Sequence, residues 1–205
     1  MNHNLFIYGA GGMALVVADT AHLLGYNILG FVDDTPEAST ELDGIKVINH
    51  LPAPNGGFNL IVAIGDCDAR LSISERLEKC GYDFATLVHP AAIISSSAIL
   101  DKGVFIAAGA IIDPHVSIGK FTIINNCSVI SHGTYIGNAC HLAPHSVVAG
   151  NCVLGNAVWI GLGAKVIENM NIANRSFIGA GAVVVKNTNT DTMNYGVPAK
   201  EIRKR

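Results

Sequence analysis

Hydrophobic side chains recur at a fixed spacing through the second half of the chain. From Ile94 to Val184 every sixth position holds an aliphatic residue. The residue four places after each of these is small or slim, with Met170 as the bulky exception. A period of six keeps no fixed face on a helix of 3.6 residues per turn, so a helix is excluded. The pattern predicts a parallel β-helix, in which each six-residue unit forms one side of a roughly triangular coil.

Strand and helix patterns alternate in the first half of the chain. Four apolar runs of strand length and two helical stretches are present, at 5–8, 28–32, 60–64 and 84–88 and at 13–24 and 69–80. This alternation is typical of a small parallel sheet covered by helices. We therefore predict an α/β domain over residues 1–89 and a β-helix with a C-terminal tail over residues 90–205.

Composition and charge exclude several classes of partner. The chain has 13 basic and 16 acidic residues and a net charge of −3, which argues against nucleic acid or an anionic membrane. Only 14% of the residues are charged, so we expect other subunits to cover apolar surface. We find neither an apolar run of membrane-spanning length nor a secretory leader pattern, and we expect a cytoplasmic protein. The five cysteines include no C-x-x-C pair, and we expect them to be reduced and free of metal.

A glycine turn follows the first predicted strand. Gly9-x-Gly11-x-x-Ala14 fits the dinucleotide fingerprint, and Asp33 follows about twenty residues later. Glycines allow the backbone to approach a phosphate, and the helix that begins there offers free N–H groups. The segment has room for one nucleotide half only, which favours a nucleotide or nucleotide sugar over NAD. A tight turn without a ligand is the alternative interpretation.

Half of the eight histidines lie in the repeat region, at outward or corner positions: His115, His132, His141 and His145. Residues stacked in successive coils would be eighteen apart, and no pair of these histidines has that spacing. The spacing therefore disfavours a metal site between coils. A neutral imidazole that takes a proton from an amine or hydroxyl nucleophile is the more natural role.

Short motifs are distributed along the whole chain. They are Tyr8-Gly-Ala-Gly-Gly12, Phe31-Val-Asp-Asp34, Ala63-Ile-Gly-Asp66 with Arg70 following, Val88-His-Pro90, Asn125-Asn-Cys-Ser-Val-Ile-Ser-His132, Ala139-Cys-His141, Gly161-Leu-Gly163, Ile178-Gly-Ala-Gly181 and Tyr195-Gly-Val-Pro-Ala-Lys200. With these motifs the chain resembles the hexapeptide-repeat acyltransferases over nearly its whole length. Within that family it is similar to the bacterial nucleotide-sugar acetyltransferases related to the sialic acid O-acetyltransferases.

The resemblance implies a fold, an assembly and a co-substrate. The fold would be a Rossmann-like half domain followed by a left-handed β-helix, whose hand the repeat alone does not determine. Three chains would form a homotrimer, with acetyl-CoA in the groove between adjacent β-helices. No metal ion is implied.

The resemblance also implies roles for individual residues. His132 would be the general base that acts on the acceptor amine or hydroxyl. His141 would contact acetyl-CoA near its thioester, and backbone around Leu162 and Ala180 would line the pantetheine path. The nucleotide sugar would be held by Gly11, Gly12, Met13, Asp33, Asp34 and Gly65.

Two positions depart from the family pattern. Family members usually have Asp or Glu directly after the catalytic histidine, and this chain has Gly133. Many also have a histidine in the first glycine turn, where this chain has Met13. Loss of a carboxylate partner lowers the pKa of a histidine and weakens it as a base. Asp113, one coil below Ser131, is a candidate substitute.

The predicted function is acetyl-CoA-dependent N-acetylation of the amino group of a nucleotide-linked amino sugar. Direct transfer with His132 as base requires no acyl-enzyme. O-acetylation of a sialic-acid-like sugar is the alternative reaction. A non-catalytic trimeric scaffold that binds a sugar or CoA is the alternative of another class.

Overall fold

The computed structural model describes residues 3–35, 40–54 and 56–205. In the N-terminal part the elements are β1 (Asn4–Tyr8), α1 (Gly12–Leu23), β2 (Asn27–Val32), β3 (Glu41–Leu42), β4 (Ile45–Ile48), β5 (Asn59–Val62) and α2 (Cys67–Lys79). The strand order is β3-β4-β2-β1-β5, parallel except for the β3–β4 pair. Neither helix of the described residues is long and apolar enough to cross a bilayer.

Two-residue strands then follow at intervals of six. They are β6 (Leu87–Val88), β7 (Ile93–Ile94), β8 (Ile99–Leu100), β9 (Phe105–Ile106), β10 (Ile111–Ile112), β11 (Ser117–Ile118), β12 (Ile123–Ile124), β13 (Val129–Ile130), β14 (Tyr135–Ile136), β15 (His141–Leu142), β16 (Val147–Val148), β17 (Val153–Leu154), β18 (Trp159–Ile160), β19 (Lys165–Val166), β20 (Asn171–Ile172), β21 (Phe177–Ile178) and β22 (Val183–Val184). The chain ends with β23 (Thr192–Tyr195) and β24 (Lys200–Lys204).

These strands form the three parallel sheets of a β-helix. One sheet contains β6, β9, β12, β15, β18 and β21, extended by β23 and β24; a second contains β7, β10, β13, β16, β19 and β22; a third contains β8, β11, β14, β17 and β20. Ile111 pairs with Val129, eighteen residues later, so each coil takes one strand from each sheet. The aliphatic row and the small residues lie inside, as the six-residue period predicts.

Slim polar residues inside the coils also connect one coil to the next. Thr122, Ser128 and Thr134 donate to the carbonyl oxygens of Gly137, Ala143 and Ala149 at 2.9, 3.0 and 3.0 Å. The sequence pattern indicated only that these side chains must be small. The structure adds that they satisfy buried carbonyl groups at the coil corners.

The N-terminal part packs on one face of the β-helix. Leu5, Val17 and Ala21 share a buried cluster with Phe105 and Ile123, which point outward from the first sheet. We call this sheet the domain-facing sheet. The strand predicted at 84–88 is divided, since Phe84 forms one bridge to Leu60 whereas β6 pairs with β9 in the β-helix. The β-helix thus begins at β6, just before the domain boundary predicted after residue 89.

Candidate active site

A cavity of about 430 Å³ opens at the carboxyl ends of β1, β2 and β5. Ligands of open α/β sheets bind at this edge. Every residue predicted to hold the nucleotide sugar lines the cavity: Gly11, Gly12, Met13, Asp33, Asp34 and Gly65. The structure thus brings this part of the predicted site together.

The glycine turn between β1 and α1 exposes backbone to the cavity. Gly9 has φ +112°, and a Cβ there would lie 3.0 Å from the Ala63 carbonyl oxygen, so glycine is required. A Cβ on Gly11 or Gly12 would meet nothing within 4 Å. Gly11 is the N-cap of α1 and provides no side-chain hydrogen bond to the first N–H groups. These groups and the helix dipole suit a phosphate.

The two acidic residues after β2 have different partners. The Asp33 carboxylate accepts from the Thr35 backbone N–H at 2.9 Å, and hydrogen bonding to Thr35 lowers the pKa of Asp33. The Asp34 carboxylate accepts from the Tyr8 hydroxyl and lies 3.4 Å from the Arg76 guanidinium. Burial, reinforced by Asp34, raises the pKa of Tyr8 to about 12. Asp33 is therefore the carboxylate with more freedom to meet a ligand.

His141 lies on the outer face of the domain-facing sheet and is only 5% exposed. Its Nδ1 donates to the Gly65 carbonyl oxygen at 3.0 Å, so Nε2 accepts from Asn125 Nδ2 at 3.2 Å. The pKa of His141 is lowered to about 4, chiefly by burial; the bond to Gly65 opposes this shift, and the charge of Arg70 adds a smaller lowering. The imidazole is therefore neutral, and it packs against Trp159 with ring centroids 4.4 Å apart.

Arg70 supports the site through contacts that the sequence did not indicate. This α2 residue is 1% exposed, and burial lowers its pKa. Its guanidinium donates to Gly65 at 2.9 Å and, across the domain boundary, to Phe121, Ala139 and Cys140 at 2.8, 2.8 and 2.9 Å, always to carbonyl oxygens. Arg70 thus fixes the cavity loop to the β-helix. The sequence showed Arg70 only as a residue that follows the motif ending at Asp66, and it did not indicate these hydrogen-bond partners.

His132 lies in the corner between β13 and β14 and is exposed. Within the described part of the chain its imidazole has no hydrogen-bond or ion-pair partner, so Asp113 does not supply a carboxylate to it here. Gly133 beside it has φ +66°, which several non-glycine corner residues share, among them His115 and Asn151. A side chain at position 133 is therefore compatible with the turn, although its Cβ would approach Asn151 Oδ1 at 2.5 Å.

Leu162 and Ala180 occupy equivalent turns of consecutive coils. Both are exposed, and the Gly181 N–H donates to the Leu162 carbonyl oxygen at 2.8 Å. Their neighbours Gly163 and Gly181 would present a Cβ to open space. These turns form an open strip beside the domain-facing sheet. The predicted contact of this strip with pantetheine stays a prediction.

The predicted base and the cavity lie on different sides of the molecule. Gly65 lies against His141 on the domain-facing sheet, whereas His132 occupies the corner shared by the other two sheets. In a triangular coil that corner is opposite the domain-facing side. One chain therefore does not bring its own His132 to its own cavity. In the described residues, no group of three His, Cys, Asp or Glu side chains could hold a metal ion.

Sequence comparisons identify related proteins. Residues 4–77 match the model of the PglD N-terminal domain. GDP-perosamine N-acetyltransferase from Escherichia coli O157:H7 is 27% identical over 150 residues, 67% of each chain. These matches concern both the α/β domain and part of the β-helix.

Structure comparisons extend the match to nearly the whole chain. PerB from Caulobacter crescentus, in complex with CoA and GDP-perosamine, is 34% identical with a TM-score of 0.91, over 98% of this chain and 97% of that one. The acetyltransferase domain of PglB from Neisseria gonorrhoeae, in complex with acetyl coenzyme A, is 30% identical with a TM-score of 0.91, over 98% and 100%. The predicted fold class, an α/β half domain before a β-helix of hexapeptide repeats, is confirmed.

Proposed function

The chain belongs to the hexapeptide-repeat nucleotide-sugar N-acetyltransferases, and we propose on this basis that it acetylates the amino group of a nucleotide-linked amino sugar. The observation that carries the proposal is the match along 98% of the chain to a protein bound to CoA and GDP-perosamine. The enzyme uses acetyl-CoA as its co-substrate. The N-acetyltransferase activity named for the relatives favours N-acetylation over O-acetylation and over a non-catalytic scaffold.

The nucleotide sugar binds in the cavity of the α/β domain. The free N–H groups at the start of α1 donate hydrogen bonds to its phosphates. The Asp33 carboxylate accepts hydrogen bonds from the ribose hydroxyls or from N–H groups of the base. Asp34 is held by Tyr8 and Arg76 and shapes the wall beside Asp33. The sugar then projects out of the cavity past Gly65, toward the β-helix.

The acetyl group is transferred directly. The acceptor amine attacks the thioester carbonyl carbon, the C–N bond forms, and the C–S bond breaks. His132 takes the proton that the amine loses and passes it to the departing CoA thiolate, which leaves as the thiol. An exposed imidazole can take a proton from an attacking amine, and histidine is the side chain most often used as a general base.

Acetyl-CoA lies along the turns that contain Leu162 and Ala180. These turns are open, and their glycines leave backbone accessible to a thin ligand arm. His141 is the predicted contact near the thioester. Its Nε2 accepts from Asn125, so a donor of acetyl-CoA that meets this nitrogen, such as a pantetheine amide N–H, would take the place of the Asn125 amide.

Three copies of the chain build the complete site in the cytoplasm. The opposite positions of His132 and the cavity require that a second chain provides one of them. Exposed apolar residues on the other two sheets suit that contact: Ile93, Ile99, Tyr135 and Val153. A homotrimer closes such head-to-tail contacts into a ring.

The test is the turnover of His132→Ala with acetyl-CoA and GDP- or UDP-linked amino sugars. We expect kcat to fall by about 10²–10⁴-fold, the usual contribution of a general base, with acetyl-CoA binding unchanged. His22→Ala is the control, because His22 lies in the last turn of α1 and outside the site. Undiminished turnover would exclude His132 as the base. Wild-type protein that binds both ligands without turnover would instead favour the scaffold.

A further inference from the structure

Gly150 lies directly against the imidazole of His132. The two residues are eighteen positions apart, in the same corner of consecutive coils, and the Asn151 N–H donates to the His132 carbonyl oxygen at 2.9 Å. A Cβ built on Gly150 would lie 2.6 Å from Cε1, 2.9 Å from Nε2 and 3.2 Å from Nδ1 of His132. Gly150 is buried although it lies at a corner. The ring thus occupies the volume that any other residue at position 150 would fill.

The backbone does not require glycine at this position. Gly150 is not among the residues with positive φ, whereas Gly133 and Gly163 are. Its contacts also differ from those of the crowded glycine Gly155, where an added Cβ would meet Asn174, including its backbone nitrogen at 2.8 Å. At Gly150 the three nearest atoms all belong to one exposed, flexible side chain. An added methyl group therefore displaces the ring and leaves the coil intact.

We propose that Gly150 is a positioning residue for the base, an inference that rests on the role proposed for His132. The family carboxylate that would bond to the imidazole is absent at Gly133, and no described residue bonds to the ring in its place. The space left by the absent side chain at Gly150 forms a seat that holds the ring against the coil above. Gly150 acts by packing and contributes no proton.

The test is Gly150→Ala, alone and combined with His132→Ala. We expect kcat to fall by about 10–100-fold, since a misplacement of about 1 Å in a catalytic group costs up to roughly that much. The KM for acetyl-CoA and the melting temperature should remain close to wild type. In the His132→Ala background the same substitution should change kcat less than about twofold, because residues that act through one group are non-additive.

Gly155→Ala is the matched control, because it adds a methyl group to a crowded turn at a different corner of the β-helix, directly after β17. We expect it to lower the melting temperature while the folded enzyme keeps its kcat. Wild-type kcat in folded Gly150→Ala overturns the proposal, and so does an equal loss with and without His132.

A measurement without turnover keeps this inference separate from the proposed function. In wild-type protein with labelled histidine, a nuclear Overhauser contact between His132 Hε1 and the Gly150 α-protons is expected. Gly150→Ala should shift the ring resonances of His132. Absence of the contact in wild type overturns the proposal even if Gly150→Ala does not fold. If this nuclear Overhauser contact is present but the wild-type protein has no turnover, the packing of His132 on Gly150 is supported and the proposed function is contradicted.

Discussion

Because His141 is buried, the free energy of unfolding depends on pH. The pKa of His141 is lowered to about 4, chiefly by burial, whereas an unfolded histidine has a pKa of about 6.5. Between these values the unfolded chain binds the extra proton, so the native state gains stability as pH rises and loses it as pH falls. Above pH 6.5 the contribution is complete and constant.

We therefore expect His141→Gln to flatten the pH dependence of unfolding. Wild type should lose up to about 1.4 kcal/mol per pH unit through this group as pH falls from 6.5 toward 4. The variant should be less stable at pH 7 but should lack this slope. Urea unfolding at several pH values and one fixed protein concentration measures the difference. Parallel curves for the two proteins would show that native His141 binds a proton as readily as it does in the unfolded chain, which would contradict the lowered pKa.

The sequence predicted much at the residue scale. The glycine turn and the acidic residues after β2 were identified, and the structure gathers them around one cavity. The sequence could not show that Asp34 is held by hydrogen bonding and charge whereas Asp33 is free to meet a ligand. That difference depends on Tyr8 and Arg76, which are distant from Asp34 in the chain. The seat at Gly150 was also missed, since a glycine in a turn first suggests a backbone requirement.

At the scale of elements, the six-residue period predicted every coil from Ile94 onward. It did not indicate which of the three sheets the α/β domain covers. The outward positions of all three sheets follow the same period, so this choice depends on contacts made by α1 and α2. Arg70 in α2 makes several of them, with a buried guanidinium that bonds to carbonyl oxygens on both sides of the boundary.

We expect Arg70→Met to cost roughly 1–3 kcal/mol of unfolding free energy, because buried carbonyl oxygens such as those of Phe121 and Ala139 lose a charged donor. The loop at Gly65 should lose its anchor, so the acceptor KM should rise more than the acetyl-CoA KM. Arg175→Met is a control at a half-exposed ion pair, where we expect about 0–1 kcal/mol. Equal costs for the two variants in urea unfolding would contradict a central role for Arg70.

At the scale of the molecule, the separation of His132 from the cavity predicts a site shared between chains. The low fraction of charged residues suggested covered surfaces, but only the sheet order shows that the proposed base and the cavity lie on opposite sides of the β-helix. Light scattering should give three chains of 21.5 kDa per particle. A stable monomer with full activity would contradict this assembly.

Complementation between two inactive variants tests the shared site directly. His132→Ala removes the proposed base, and Gly12→Trp fills the cavity, where an added Cβ meets nothing within 4 Å. If each site takes its base from one chain and its cavity from the next, co-expression at equal amounts should restore about a quarter of wild-type turnover. Each variant expressed alone should stay inactive. If base and cavity belonged to the same chain, every chain in the mixture would have one defect, and mixed trimers purified through two tags would show no turnover.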